Sequence, residues 1–261
     1  MMVDVVVCGA AGRMGAEVVR AVTEADGMRV VAGVDPGSGS DTLPDGLGGV
    51  IPCYPSLTAA LDACEPDVMV DFTRPDAVLA NVNTAVSAGV DCVVGTTGVQ
   101  VREYEKALEG APPGTSVFVA PNFAIGAVLM MDFAKRAARY MSKVEIIELH
   151  HDKKLDAPSG TSLRTAALIS EARNGEAPDA SEEESLPGAR GASSDGVRIH
   201  SVRLPGLVAH QEVVFGGVGQ TLTIRHDSID RTSFMPGVVL AIRASESLTG
   251  LVVGLENILE L

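Results

Sequence analysis

Residues 3–8, VDVVVC, form a short and almost unbroken apolar run, and GAAGRMG follows at once. A run of this kind is the pattern of a central parallel strand, covered on both faces. Gly9, Gly12 and Gly15 then recur at every third position. Residues 14–25 place Val18, Val19 and Val22 on one helical face and Glu17, Arg20 and Glu24 on the other. Strand, glycine loop and helix together predict a β-α unit that binds a dinucleotide. One glycine turns the chain off the strand, another lets the backbone approach a pyrophosphate, and the last lets the helix pack on the sheet. The pyrophosphate would rest on N–H groups at the positive end of the helix. The spacing is a variant of the more familiar G-x-G-x-x-G. The bland alternative is a tight turn kept for packing alone. Asp35 lies 20 residues beyond Gly15, at the end of a second predicted strand over 30–34. A carboxylate there suits an adenosine ribose. It also repels a 2′-phosphate, and Pro36 and Gly37 after it bring no arginine, although Arg13 is within reach of the loop. The cofactor expected is NADH or NADPH, with NADH used at least as well.

The first half of the chain continues in the same alternation. Strands are expected at 68–72, 91–94 and 116–120, with helices at 56–64 (Ser56 as N-cap) and around 102–108. Another helix is expected after 72, with Thr73 as its cap, Pro75 in its first turn and Gly89 at its end. Such an order implies a doubly wound parallel sheet with helices on both faces, the Rossmann-like α/β class. Two strand ends, Phe72-Thr73 and Gly95-Thr96-Thr97-Gly98, fall where such a sheet exposes its ligand crevice. The second reads equally well as an ordinary Gly-Thr loop. The pattern changes after Phe123. A helix is predicted over 124–140, a strand over 143–149 and a helix over 162–174 closed by Gly175. A polar, solvated loop with Glu182, Glu183 and Glu184 is predicted over 177–196. Strands at 197–203, 211–215 and 221–226 follow one another without helices, which predicts a second α+β domain with a largely antiparallel sheet. A helix over 233–245 closes the pattern.

Charge narrows the partners. Among 261 residues, 34 acids oppose 20 bases, a net charge of −14. Such a field repels phosphate, so neither nucleic acid nor an anionic membrane is expected as a partner. The uncharged stretch 111–131 is long enough to imitate a membrane span, but Pro112, Pro113, Pro121 and Asn122 break it. Arg13 is the first basic residue and Asp4 precedes it, so no secretory signal is expected. Cys8, Cys53, Cys64 and Cys92 include no C-x-x-C pair and read as free thiols in a reducing, cytoplasmic setting.

Against that negative background, ELHHDKKLDAPSGTS at 148–162 concentrates positive charge. His150 and His151 end a predicted strand, so their side chains can point apart, one to donate a proton and one to bind a carboxylate. Lys153 and Lys154 follow, and Lys154 is a candidate second donor or charge clamp. Pro158-Ser159-Gly160-Thr161 then leads into a helix, whose N–H groups and hydroxyls make an anion cradle. Two anion sites so close together predict a substrate with two acidic groups. No metal is expected, because adjacent histidines with lysines lack zinc-like spacing.

GAAGRMG, DFTRPDAV, VVGTTG, APNFAIG, ELHHDKKLDAPSGT and HDSIDRTSFMPGV together resemble the 4-hydroxy-tetrahydrodipicolinate reductases of the diaminopimelate route to lysine. The likeness spans nearly the whole chain. It implies NAD(P)H-dependent reduction of an unsaturated cyclic dicarboxylate to tetrahydrodipicolinate and water. It implies His150 as proton donor, Lys154 as a second donor that also binds substrate, and His151 with Gly160 and Thr161 on the carboxylates, beside Ser159. For the cofactor it implies Gly9, Ala10, Ala11, Gly12, Arg13, Met14, Asp35, Gly95, Thr96 and Thr97, with Ala120, Pro121, Asn122 and Phe123, next to the Phe72 already noted. It further implies a homotetramer built on the second domain. The dinucleotide-binding domain would span 1–123 and be completed by 232–261, and the substrate and oligomerisation domain would span 124–231. Pro36 departs from members that carry arginine after the acid to read a 2′-phosphate. Two rivals remain: another two-domain dehydrogenase, which would not need the His150–Thr161 run, and an NAD(H)-sensing module, which would not need a proton donor. Roles for Arg231 and Phe234 stay open.

Overall fold

The glycine-ended strand lies in the middle of a sheet. The computed structural model describes residues 2–173 and 183–259. In chain order the elements are β1 (Val3–Cys8), α1 (Arg13–Glu24), β2 (Met28–Val34), β3 (Thr42–Pro44), β4 (Val50–Tyr54), α2 (Leu57–Leu61), β5 (Val68–Asp71), α3 (Val78–Ser87), β6 (Asp91–Val94), α4 (Val101–Ala107) and β7 (Ser116–Val119). Then come α5 (Ile125–Ala138), β8 (Lys143–His150), α6 (Gly160–Ala172), β9 (Ala192–Ser194), β10 (Val197–Arg203), β11 (Ala209–Gly217) and β12 (Gln220–Ser228). A 3-10 turn at Arg231–Phe234 precedes α7 (Met235–Ser245) and β13 (Gly250–Val253). The chain divides into two compact units, Met1–Ala124 with Arg231–Leu261, and Ile125–Asp230.

In the first unit the sheet order is β13-β7-β6-β5-β1-β2-β4-β3. Every pairing is parallel except β3 with β4. The fold is therefore the Rossmann-like doubly wound α/β sheet. The order reverses between β1 and β5, so the loops after these two strands border the place where such sheets take ligands. Val5, Val6, Val7 and Cys8 have no exposed surface, which explains the unbroken apolar run. Cys8, Cys53 and Cys92 are buried free thiols and Cys64 is half-buried.

The second unit is a five-stranded mixed sheet, β12-β11-β8-β10-β9, with α5 and α6 packed against it. β8 pairs parallel with β10 and antiparallel with β11, so the expectation of a largely antiparallel sheet holds for every pair but that one. Its covered face changes character along the strands. Val144 and Ile146 of β8, Val213 and Phe215 of β11, and Val197 and Ile199 of β10 are buried apolar residues at one end. Two residues further along the same faces stand Glu148, Gln211 and Ser201, and then His150 and Arg203. Period-two alternation therefore carries an apolar core directly into a polar strand end.

Some boundaries differ from expectation. Thr73 does not cap α3. Its N–H and hydroxyl both donate to Asp71 Oδ1, at 3.0 and 2.7 Å, and α3 begins only at Val78 behind Ala77. Gly89 does follow the helix, with φ of 75°. α6 starts two residues early, at Gly160, because Ser159 takes the N-cap. The loop expected over 177–196 contains β9, which pairs with β10. Gly175 and Glu182 lie outside the described residues. Strands β3, β4 and β13 were not expected. Among the described residues no helix is long and apolar enough to cross a membrane.

Candidate active site

On the first unit the expected cofactor residues gather at the C-terminal edge of the sheet. Gly9 leaves β1 with φ of 80°, a left-handed conformation that favours glycine. Its N–H donates to Val34 O at 2.8 Å, tying the loop to β2. A Cβ on residue 15 would lie 2.0 Å from Gly9 O, so only glycine lets α1 start this close beneath the loop. Gly12 is the N-cap of α1, and no side chain caps it, so the helix end keeps its first-turn N–H groups for a ligand. Asp35, at the end of β2, accepts from Ala11 N at 3.1 Å and Gly37 N at 2.9 Å. Its carboxylate thus borders the glycine loop. Arg13 is exposed at the head of α1.

The loops after β5, β6 and β7 meet there too. A Cβ on residue 95 would lie 2.2 Å from the Phe72 ring, and the rings of Phe72 and Phe123 stand 5.7 Å apart. Ala120 N bonds Val94 O at 3.1 Å, and Asn122 Oδ1 accepts from Ala124 N at 2.9 Å. Thr97 is exposed. One organiser was not foreseen. Asp71, without exposed surface, takes Thr73 N and Oγ1, Thr96 Oγ1 at 2.7 Å and Asn81 Nδ2 at 2.8 Å. It locks the Phe72-Thr73 and Gly95–Thr97 loops together. The sequence signal was an acid ending an otherwise apolar strand.

On the second unit, β8 ends in His150, whose side chain is 14% exposed. Its Nδ1 meets Glu148, which has no exposed surface. Arg203 grips Glu148 through two parallel bonds, Nη1 to Oε2 and Nη2 to Oε1, both 2.8 Å. Such bidentate pairs are the strong charge-assisted kind. Burial pushes the Glu148 carboxyl up, but Arg203, Ser201 and His150 outweigh it and hold it below the usual range. Burial pushes the His150 imidazole down; Glu148 opposes this, and Lys154 and Arg203 add to it. His151 is exposed at the strand end, and its carbonyl accepts from Lys154 N at 3.2 Å. Lys154 Nζ rests on both oxygens of exposed Asp156 at 2.8 Å.

The N-terminus of α6 is pinned from behind. Ser159 is buried and accepts Ser162 N at 3.2 Å, so its hydroxyl is spent on the cap, not offered outward. Ser162 Oγ donates to Gln211 Oε1 and Gln211 Nε2 to Thr165 Oγ1, both at 2.8 Å. These contacts fix the helix end on β11, and Gly160 and Thr161 form its first turn. His150, His151, Lys154, Ser159, Gly160 and Thr161 all belong to this one β8–α6 connection. No cluster of metal-ligating side chains occurs among the described residues.

Comparison with known proteins agrees with the whole chain. The family descriptions "Dihydrodipicolinate reductase, N-terminus" and "Dihydrodipicolinate reductase, C-terminus" match residues 3–123 and 126–259. The 4-hydroxy-tetrahydrodipicolinate reductase of Mycolicibacterium smegmatis is 51% identical over 258 residues, 98% of each chain. That of Nocardia farcinica is 50% identical over the full length of both. Among solved structures, a dipicolinate-bound dihydrodipicolinate reductase from Paenisporosarcina superposes with a TM-score of 0.86, at 44% identity, over 99% of this chain and 100% of that one. Myo-inositol 2-dehydrogenase from Lactobacillus plantarum covers 99% of this chain and 93% of its own, with a TM-score of 0.64 at 14% identity, and shares the fold alone.

The glycine loop gives the first test. Gly15→Ala forces α1 away from Gly9 O, and we expect NADH binding to weaken at least about tenfold, the worth of one well-formed charge-assisted contact. Titration of nucleotide fluorescence on the purified variant measures it. Unchanged affinity would mean that the loop does not hold the pyrophosphate.

Proposed function

The chain belongs to the dihydrodipicolinate reductase family, and from that premise we infer how its own residues carry out the reaction. The enzyme is an NAD(P)H-dependent oxidoreductase that reduces 4-hydroxy-tetrahydrodipicolinate to tetrahydrodipicolinate, in lysine synthesis through diaminopimelate. One proton is taken up and the hydroxyl leaves as water. The observation that carries the assignment of roles is the β8–α6 connection. In a chain of net charge −14 it collects two histidines, two lysines and a helix N-terminus beside the pair of buried Glu148 and half-buried Arg203.

The first unit is the dinucleotide-binding domain. A bound reduced nicotinamide supplies hydride, one hydrogen with two electrons, to the substrate. Gly9 to Met14 would hold the pyrophosphate, Asp35 the adenosine ribose, and Phe72, Gly95–Thr97 and Ala120–Phe123 the nicotinamide half. The second unit binds the dicarboxylate. His151 and the Lys154 ammonium take one carboxylate, and Gly160 and Thr161 receive the other on the first turn of α6. Ser159 serves by holding that turn in place. The electron pair delivered to the ring is met by a proton from His150, with Lys154 as a second donor. The family likeness supports a homotetramer assembled through the second unit, and a reducing, cytoplasmic setting suits the four free thiols.

We further infer that NADH serves at least as well as NADPH. Asp35 already accepts two backbone N–H bonds beside the ribose position, and Pro36 and Gly37 offer a 2′-phosphate no charge. Arg13 is the one basic group in the loop. Paired steady-state assays should give a kcat/KM with NADH equal to or above that with NADPH. A strong NADPH preference would contradict this.

Catalysis is tested with the condensation product of pyruvate and aspartate semialdehyde. NADH should be consumed only in its presence, which a semialdehyde or sugar dehydrogenase, or a nucleotide sensor, would not do. His150→Gln should lower turnover by about 10²- to 10⁴-fold with little change in substrate affinity. Lys154→Ala should cost kcat/KM about ten- to a hundredfold, in both binding and rate. Wild-type kinetics in either variant would remove that residue from its role.

A further inference from the structure

Glu148 is an ionised carboxylate without exposed surface, one of the most expensive groups a fold can bury. If it served the fold alone, Arg203 would be a sufficient partner. Both Arg203 Nη atoms already bond it, and Arg203 Nη2 also reaches Asp156 O at 2.7 Å, holding the loop that carries Lys154. Yet Glu148 also touches His150, two residues along the same face. We propose that Glu148 is the positioning residue of the proton donor: it fixes the His150 ring by Nδ1 and sets a negative charge against it, so that Nε2 presents the proton to the reduced substrate. This deepens the reading of His150 as donor and rests on it.

An ionised carboxylate only accepts, so Nδ1 must carry a hydrogen. A neutral ring with Nδ1–H has a bare Nε2 and cannot donate from it. Donation therefore requires the imidazolium. The charged groups around the ring are Glu148 from its own strand, Arg203 from β10, and Lys154 from the following loop, itself paired with Asp156; the β11 residue opposite is Ala209. Lys154 and Arg203 oppose the cation, and Glu148 is the nearest group that favours it. A dicarboxylate drawn in by Lys154 offsets that cation, and the ring then takes up a proton at Nε2. After hydride addition the Nε2–H bond breaks and its proton forms a bond at the electron-rich ring position. The imidazole returns to the neutral Nδ1–H form, and solvent restores the proton.

Glu148→Gln keeps the shape and removes the charge. In the substrate-saturated enzyme we expect turnover at pH 8 to fall about ten- to a hundredfold. The alkaline limb of the kcat profile should move about one to two pH units toward acid, because the group that raised the imidazole pKa is gone. KM for NADH should stay at the wild-type value. In a His150→Gln background, adding Glu148→Gln should cost nothing further, since it acts only through that ring. An unmoved pH profile, or the same extra loss in both backgrounds, would overturn the proposal. The ¹⁵N shifts of His150 in the unaltered enzyme decide independently of whether the variant folds. An Nδ1-protonated neutral ring supports the proposal, and an Nε2-protonated one overturns it. Wild-type turnover in His150→Gln alone would sink the donor reading and this proposal with it. An impaired His150→Gln beside an indifferent Glu148→Gln would sink this proposal only.

Discussion

Burying a carboxylate is tolerable only when donors saturate it, and each unit of this chain buries one at the C-terminal end of a strand. Asp71 closes β5 and takes four hydrogen bonds from three residues, two of them on the loops that border the glycine motif. Glu148 sits near the end of β8 and is saturated by Arg203, Ser201 and His150. In both places the requirement for saturation is what orders a loop. A solvated acid could release its partners at little cost. A buried one cannot, so the loops it holds are fixed as firmly as the core beneath them.

The covered face of the second sheet shows how such a carboxylate is set. Val144, Ile146, Glu148 and His150 share one face of β8, and Phe215, Val213 and Gln211 face the first three across β11. The apolar part of the row supplies the core against α5 and α6. The polar part meets the N-terminus of α6, where Gln211 clamps Ser162 and Thr165. A helix end held in this way keeps its positive pole at one place. The positive groups of the β8–α6 connection are thereby concentrated in a protein whose overall field is negative.

Much of this was legible in the residues. β1, the glycine loop and α1 follow from local pattern, because strand burial, turn geometry and helix packing all act within some twenty residues. ELHHDKKLDAPSGT was legible for the same reason, as chemistry concentrated in one short segment. The two organisers were harder to see. Thr96 lies 25 residues from Asp71, and Arg203 lies 55 from Glu148. Sheet topology alone brings them together, and a single sequence does not spell out strand order. α3 starts later than expected for a local reason, since Thr73 bonds Asp71 two residues before it instead of capping the helix. β3 and β4 escaped because Gly and Pro dominate around them and β4 contains Pro52, both ordinarily signs against a strand. The part the Ser159 hydroxyl plays in the cap is equally hidden in the sequence until the start of α6 is known, because a serine before a helix serves its own backbone.

The central claim is that one short connection, from the end of β8 to the first turn of α6, grips both acidic groups of the substrate ring and protonates it. A crystal structure of the enzyme with NADH and pyridine-2,6-dicarboxylate tests this most directly. The account requires one carboxylate on Lys154 and His151, the other on the N–H groups of Gly160 and Thr161, and Nε2 of His150 turned toward the ring. A diacid seated away from these residues, with the His150 ring directed elsewhere, would contradict it.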